Sequence, residues 1–248
     1  MSKKKIHLST ISLLHYWKLF FRSSLLLVSA AIYAYDRILA AQDGTAFLAF
    51  ITRPYIMGFI WVVFALEMLL RFFPSQLESA GCQKVFARNY RPATQPAQPR
   101  DDRRATWAIL AAWLALNGAI AALYFTHIID AGILILISLA YSVCDMICIL
   151  FFCPFQTWFM KNKCCGSCRI YNWDFAMMFT PLALVPHPFT WSLFGLGLAL
   201  VIHWEVTHYR HPERFTKRPT VPSPAPTVKS VCAPTRLSCA LCIKSCGN

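Results

Sequence analysis

The sequence predicts an all-α, polytopic membrane protein with about six transmembrane helices, the fifth short or re-entrant, and both termini in the cytoplasm. Hydrophobic residues make up 57% of its 248 residues and charged residues only 14%, whereas a soluble domain carries about 25% charged residues. The apolar residues also form long blocks separated by basic segments, which is the pattern that a bilayer requires.

These blocks divide the chain into seven segments. They are a basic N-terminus (1–18), helices 1 and 2 (19–73), a basic Pro/Gln-rich loop (74–104), a helical hairpin of helices 3 and 4 (105–153), a Cys-rich loop (154–172), proline-broken helices 5 and 6 (173–208), and a basic, Pro- and Cys-rich tail (209–248).

The first two blocks each predict one helix. Leu19–Ala41 is interpreted as a retained helix because no small-x-small cleavage site follows a compact apolar region; a cleaved signal peptide is the alternative. Tyr55–Phe73 follows Pro54, and proline suits the first turn of a helix. Glu67 and Arg71 lie four residues apart near the end of this block, a spacing that predicts a local ion pair.

Blocks three and four predict an antiparallel hairpin, because almost nothing separates Ala105–Thr126 from Ile128–Phe152. Asp145 lies in the second of these helices. An ionisable residue at this depth is costly and marks a candidate functional site, with ion or proton passage as its natural role. The structural alternative is a protonated or paired aspartate that faces the bundle, with Asn117 or Tyr141 as its helper.

The last apolar region is broken by Pro186 and Pro188, which cannot both lie inside an undisturbed helix. It therefore splits into a short limb, Trp173–Val185, and a full span, Phe189–His208. The limb reaches only about 20 Å, less than the roughly 30 Å hydrocarbon core. It is either an incomplete fifth helix or half of a re-entrant hairpin.

The positive charges orient the chain. If the last region crosses and returns, 22 of the 24 Lys and Arg residues lie in the cytoplasm, and only Arg37 and Arg53 face outward. A single final crossing would leave 15 inside, so the positive-inside rule favours the even-numbered topology, in an inner (plasma) membrane. The net charge of +13 then needs no nucleic-acid partner, because no nucleic-acid-binding motif accompanies it.

The eleven cysteines avoid the predicted outer side. Eight lie in predicted cytoplasmic segments, and three lie in the half of helix 4 that descends to the cytoplasm. Stable disulfides belong on the oxidising face, so this placement indicates thiols, metal thiolates or redox work. Cys144 and Cys148, one helical turn apart, also fit simple apolar packing.

Two cysteine clusters have spacings found in metal sites. In the first, Cys165 and Cys168 flank Gly166, which permits the tight turn of a chelate loop. Cys164 and Cys153 lie nearby in sequence. Juxtamembrane Cys164 and Cys165 are alternatively sites of acylation.

The second cluster closes the chain and consists of Cys232, Cys239, Cys242 and Cys246. Its last three cysteines have part of the spacing of ferredoxin-type iron–sulfur ligation, but a full motif would need a cysteine in place of Arg236. A structural zinc loop and a reactive dithiol are the alternatives for this cluster.

The Cys153-Pro154-Phe155 step beneath a membrane helix, together with the cysteine-rich tail, resembles membrane-bound polyferredoxin subunits. The resemblance covers a small part of the chain. It implies an iron–sulfur centre and electron exchange with a membrane redox complex or a quinone.

We therefore expect a membrane protein with a cytoplasmic cysteine-thiolate metal centre, iron–sulfur or zinc, that serves electron transfer or redox sensing. The expected ligands are Cys165, Cys168, Cys239, Cys242 and Cys246, with Cys164, Cys232 and Cys153 in reserve. Haem is not favoured, because His15 is the sole inner-side histidine that could face those at the end of the last span.

No cytoplasmic segment is long enough for an independent enzyme domain, so an electron-transfer subunit of a membrane oxidoreductase is favoured over a stand-alone enzyme. Two other function classes stay open. One is a small transporter or channel-like protein that works through Asp145. The other is an accessory subunit that binds its partners through the basic tail.

Overall fold

The computed structural model describes residues 10–39, 45–73, 103–160 and 168–215. Within these ranges all regular structure is helical, as predicted. The α-helices are α1 (Thr10–Ala34), α2 (Thr45–Ile51), α3 (Pro54–Leu70), α4 (Arg103–Phe125), α5 (Ala131–Leu150), α6 (Asp174–Phe179) and α7 (Pro188–Arg210). Single π- or 3₁₀-helical turns cover Tyr35–Leu39, Phe155–Phe159, Arg169–Trp173, Pro181–Leu184 and Pro212–Phe215.

Four helices in the described ranges are long and apolar enough to cross a membrane: Leu13–Ile38, Arg103–Phe125, Ala131–Leu150 and Pro188–Arg210. They coincide with predicted helices 1, 3, 4 and 6. The second predicted span is represented by α3, which is apolar but has 17 residues. At 1.5 Å per residue α3 reaches about 25 Å, slightly less than the hydrocarbon core.

The predicted short limb, Trp173–Val185, is not a continuous helix. A 3₁₀ turn leads into α6, and a second 3₁₀ turn begins at Pro181. Proline lacks the backbone N–H that would continue the ladder, which explains the break at this position. The limb packs against α5 and α7, so its non-helical backbone is covered by protein, as a membrane setting demands.

The core forms where α1 packs on α5, and where α3 and α6 pack on α7. Phe64 of α3 and Phe179 of α6 meet edge to face, with ring centroids 5.3 Å apart. Gly197 brings α6 and α7 close together, because a Cβ at this position would lie 3.1 Å from the backbone of Ala176. A glycine is therefore required where these two helices touch.

The predicted hairpin of α4 and α5 is joined by residues 126–130. Asp130 caps α5 by accepting a hydrogen bond from the N–H of Ile133 at 2.9 Å, and it also accepts from the hydroxyl of Tyr33 in α1. Beyond this turn, α4 packs mainly against the turns at Phe155–Phe159 and Pro181–Leu184 rather than along α5. A space is left between α4 and the C-terminal half of α5.

Candidate functional site

A cavity of about 130 Å³ occupies that space, between α4, α5 and α6. We call this part of the bundle, where α5 ends at Leu150, the cysteine end. The cavity wall is largely aromatic, aliphatic and thioether, with Trp113 and Tyr141 in ring contact at 4.8 Å. Its polar members are two carboxylates and four thiols, namely Asp145, Asp174, Cys144, Cys148, Cys153 and Cys168.

Local structure explains how three of these thiols reach the same cavity. Helical spacing places Cys144 and Cys148 one turn apart on the same face of α5. The helix then ends, and Pro154 begins a new turn that redirects the chain. This turn places Cys153 on the wall of the same cavity as Cys148, which lies in the last turn of α5.

The fourth thiol is positioned by a clamp on α7. Cys168 is buried and immediately precedes the turn Arg169–Trp173. The Nε of Arg169 lies 3.0 Å from both carboxylate oxygens of Glu205, and Trp173 Nε1 donates to the same carboxylate at 2.8 Å. Since a paired Arg–carboxylate contact fixes orientation as well as distance, the backbone after Cys168 is anchored to α7.

Asp145 is paired, and its partner is Arg22 of α1. Arg22 Nη1 donates to Asp145 Oδ2 and to the carbonyl of Ser142, each at 3.0 Å. Its Nη2 donates to Glu67 of α3 at 2.6 Å. The predicted helpers of Asp145 are engaged differently, because Asn117 donates within α4 to Trp113 O and the ring of Tyr141 lies tilted against that of Trp113.

Arg22, which the charge count placed in a cytoplasmic segment, has its side chain inside the bundle. Its side chain is only 2% exposed. Burial is possible because Glu67 and Asp145 supply two negative charges from two other helices. Arg22 therefore joins α1, α3 and α5 inside the bundle.

A second buried pair lies beside the cavity. Arg71 Nη1 is 2.7 Å from Asp174 Oδ2, and the guanidinium also lies 4.8 Å from the ring centres of Tyr171 and Phe175. Asp174 Oδ2 is buried, and Arg71 is its ion-pair partner. Glu67 and Arg71, which the spacing predicted to pair with each other, have ion-pair partners from other elements. Glu67 pairs with Lys18 and Arg22, and Arg71 pairs with Asp174.

At the cysteine end, three described cations pair with three described carboxylates. Lys18, Arg22 and Arg71 face Glu67, Asp145 and Asp174. Across the described residues, no three His, Cys, Asp or Glu side chains lie close enough together to hold a metal ion. A metal in this region would need ligands from outside those ranges.

The structure brings together three of the predicted site residues, Cys153, Cys168 and Asp145, at one cavity. The others lie outside the described residues: Cys164, Cys165, Cys232, Cys239, Cys242 and Cys246. The sequence analysis missed Asp174 as a member of the site and treated Cys148 as packing. An acid at the start of a short apolar limb was the signal available for Asp174.

Comparisons with protein-family models, with curated proteins and with solved structures find no match to this chain. The functional interpretation therefore depends on the chemistry of the site itself.

Proposed function

We propose that this protein is a membrane electron-transfer or redox-sensing component whose working groups are the cysteine sulfurs at the cysteine end. The observation that carries the proposal is the convergence of four cysteines on one cavity, from α5, from the residue before Pro154 and from the residue before the Arg169–Trp173 turn. Sulfur is the side-chain atom best suited to redox work and to soft or borderline metals.

In its full form the proposal includes a metal thiolate, iron–sulfur or zinc, on the cytoplasmic side of an inner (plasma) membrane. Cys168 would join this centre to the bundle, since the clamp on Glu205 fixes the backbone next to it. Cys164 and Cys165 would be the adjacent ligands, and the thiols of the tail would complete the set. Both termini would then be cytoplasmic.

An ion path through Asp145 has less support. A working carboxylate must exchange its ion or proton, whereas Asp145 is held by a guanidinium that also binds Glu67. Breaking such a pair in a low-dielectric setting leaves uncompensated charges, which costs several kcal/mol. We therefore assign Asp145 a structural role.

Metal analysis of anaerobically purified protein tests the proposal. Iron, zinc and acid-labile sulfide per chain, with the visible spectrum before and after dithionite, would be measured for the parent protein, for a double variant Cys165→Ser/Cys168→Ser and for Cys144→Ser. We expect a stoichiometric centre in the parent protein, its loss in the double variant and its retention in the control, because Cys144 is exposed and is not among the proposed ligands.

Two results would contradict the metal-thiolate form. One is a colourless parent protein without iron or zinc. The other is a double variant that keeps the parent metal content and spectrum while remaining folded. A deletion of residues 219–248 in the same series reports whether the tail supplies ligands.

A further inference from the structure

We propose that a second cavity, at the end of the bundle opposite the cysteine end, binds water between the hydroxyls of Ser138 and Thr190. This cavity measures about 60 Å³ and lies between α3, α5, α7 and the 3₁₀ turn Pro181–Leu184. Among the described residues, it shares no wall with the cavity at the cysteine end. The inference therefore goes beyond the proposed function and does not depend on the sulfurs.

The second cavity lies close to one surface of the bundle. Met57 and Thr190 on its wall belong to the first turns of α3 and α7, and Ile51 ends α2. Ser138 lies about 10 Å from the start of α5, at 1.5 Å per residue. Water therefore has a short path into the cavity from this surface.

The hydroxyl of Ser138 is the group that calls for a ligand. The residue is only 4% exposed, and its Oγ makes no hydrogen bond to any described residue. Ser142, one turn further along α5, instead donates to the carbonyl of Leu139 at 2.7 Å, which is the usual solution for serine in a helix. A buried hydroxyl without a partner costs free energy, and a hydrogen-bonding ligand in the cavity removes that cost.

Thr190 determines which chemistry the ligand must have. Its hydroxyl donates to the carbonyls of Val185 and His187, each at 2.7 Å. The hydrogen is thus used, while the oxygen keeps lone pairs that can accept. Ser138 offers both a donor and acceptor lone pairs. The ligand must therefore carry an O–H group that donates to Thr190, and water is the smallest molecule that does so.

The volume of the cavity fits a few waters and excludes a ring. A water needs about 10–15 Å³ of such space and occupies about 30 Å³ in the liquid, so about two waters fit, whereas one benzene requires about 150 Å³. Apart from the two hydroxyls, the wall is apolar except for Trp61, whose Nε1 donates to Ser192. Two waters that bond to each other, one to Ser138 and one to Thr190, each have two partners, within the usual range of two to four.

Such a water bridge joins α5 to the segment that precedes α7. This segment contains Pro186 and Pro188, which lack the backbone N–H that would continue a helix. The bridge supports the chain where its backbone ladder is interrupted.

X-ray radiolysis of the full chain in lipid nanodiscs tests the proposal. The beam converts water into hydroxyl radicals, which oxidise the side chains next to bound water, and peptide mass spectrometry locates the oxidised residues. Met57 and Phe64 line the second cavity and are 8% and 2% exposed, whereas Met68 and Phe47 are fully buried outside it. We expect Met57 to be oxidised about fivefold faster than Met68, and Phe64 about fivefold faster than Phe47, because bound water supplies radicals locally.

Variants of α5 show whether the hydroxyl holds the water. Ser138→Ala should lower the oxidation of Phe64 about threefold, since one hydrogen-bonding partner of the water is lost. Ser138→Thr keeps the hydroxyl and should keep the oxidation. Ser142→Ala is the matched control, because Ser142 lies outside the cavity wall and donates to Leu139.

Three results would overturn the proposal. The first is equal oxidation within both matched pairs of the parent protein, which means a dry cavity. The second is parental oxidation of Phe64 in Ser138→Ala. The third is a higher melting temperature of Ser138→Ala, because removing a buried hydroxyl stabilises a protein only where that hydroxyl has no partner. None of these results depends on metal content, so the proposed function is tested separately.

Discussion

Two sets of residues on α5 meet the rest of the protein in different ways. Asp145 and the carbonyl of Ser142 bind Arg22, and through it Glu67, so that each buried charge faces an opposite one. Cys144 and Cys148 line, with Asp145, a cavity whose wall is mostly apolar, and among the described residues neither thiol has a charged partner of the kind that holds Asp145. Under the proposed function, buried charge holds the helices together and the sulfurs carry the chemistry. Substitutions in the two sets should therefore fail in different ways.

The largest effect is expected from Arg22→Met. This change leaves Glu67 and Asp145 buried without their shared cation, and removing one partner of a buried ion pair costs about 3–5 kcal/mol. The free energy of unfolding, measured by denaturing-detergent titration of purified protein, should fall by that amount or the protein should not accumulate.

Arg53→Met is the matched control, because Arg53 is exposed and donates to the neighbouring Tyr55 hydroxyl. Its unfolding curve should overlay that of the parent protein. Equal losses in both variants would mean that the buried network of Arg22 has no special role in the fold.

The next effect should come from Gly197→Ala, which acts on the wall that carries Asp174. The added Cβ would lie 3.1 Å from the Cα and N of Ala176, so α6 must move away from α7. Forcing one extra carbon into a tight contact costs about 1–3 kcal/mol, which a thermal unfolding series would detect.

Gly195→Ala is its control on the same helix, because no atom lies within 4 Å of a Cβ at that position. We expect no loss of stability there, and alanine is the better helix former. If Gly195→Ala destabilises the protein as much as Gly197→Ala does, then the close approach of α6 to α7 is not what constrains this position.

Glu205→Gln should have a smaller effect on folding and a specific effect on the sulfurs. Glutamine can still accept from Trp173 Nε1 but cannot neutralise Arg169, so the clamp after Cys168 weakens by about 1 kcal/mol. We expect a clear change in metal content or visible spectrum, together with only a small decrease in thermal stability. Unaltered metal binding in this variant would contradict the role of the clamp.

The smallest change in stability is expected for Cys148→Ala, below about 1 kcal/mol, since it removes one sulfur at a cavity wall. The same variant should nevertheless lower the number of thiols that a mild oxidant consumes at the cysteine end. Thiol quantification after addition of diamide, alongside an unfolding curve, checks both halves of this prediction. A large loss of stability would show that Cys148 also has a structural role in the packing of the helices.

The long helices could be predicted from the sequence because apolar length alone determines them. Block four, Ile128–Phe152, differs from α5 by a few residues at each end. The separation of the short limb from the last span was also predictable, because Pro186 and Pro188 cannot both lie inside an undisturbed helix, and α7 begins at Pro188. Six complete spans were not confirmed, since α3 and the limb are shorter than a full crossing.

The site could be predicted only in part. A charge near the start of an apolar block has the pattern of an interfacial residue, and nothing local reveals that Arg22 meets Glu67, 45 residues away, and Asp145, 123 residues away. Cys148 was interpreted as packing, because its placement with Cys153 on one cavity depends on the turn that begins at Pro154 and not on helical spacing. Such contacts are properties of the tertiary fold, so pattern analysis within one segment does not reach them.

Sided thiol labelling tests most directly the claim that the sulfurs gather beneath one leaflet, in the cytoplasm. A membrane-impermeant maleimide would be applied to intact cells and, separately, to inverted membrane vesicles, and the labelled cysteines would be identified by peptide mass spectrometry. The account predicts no label on this chain in intact cells and strong labelling of the cysteines at 164–165 and 232–246 in inverted vesicles. Labelling of those cysteines from outside intact cells would contradict it.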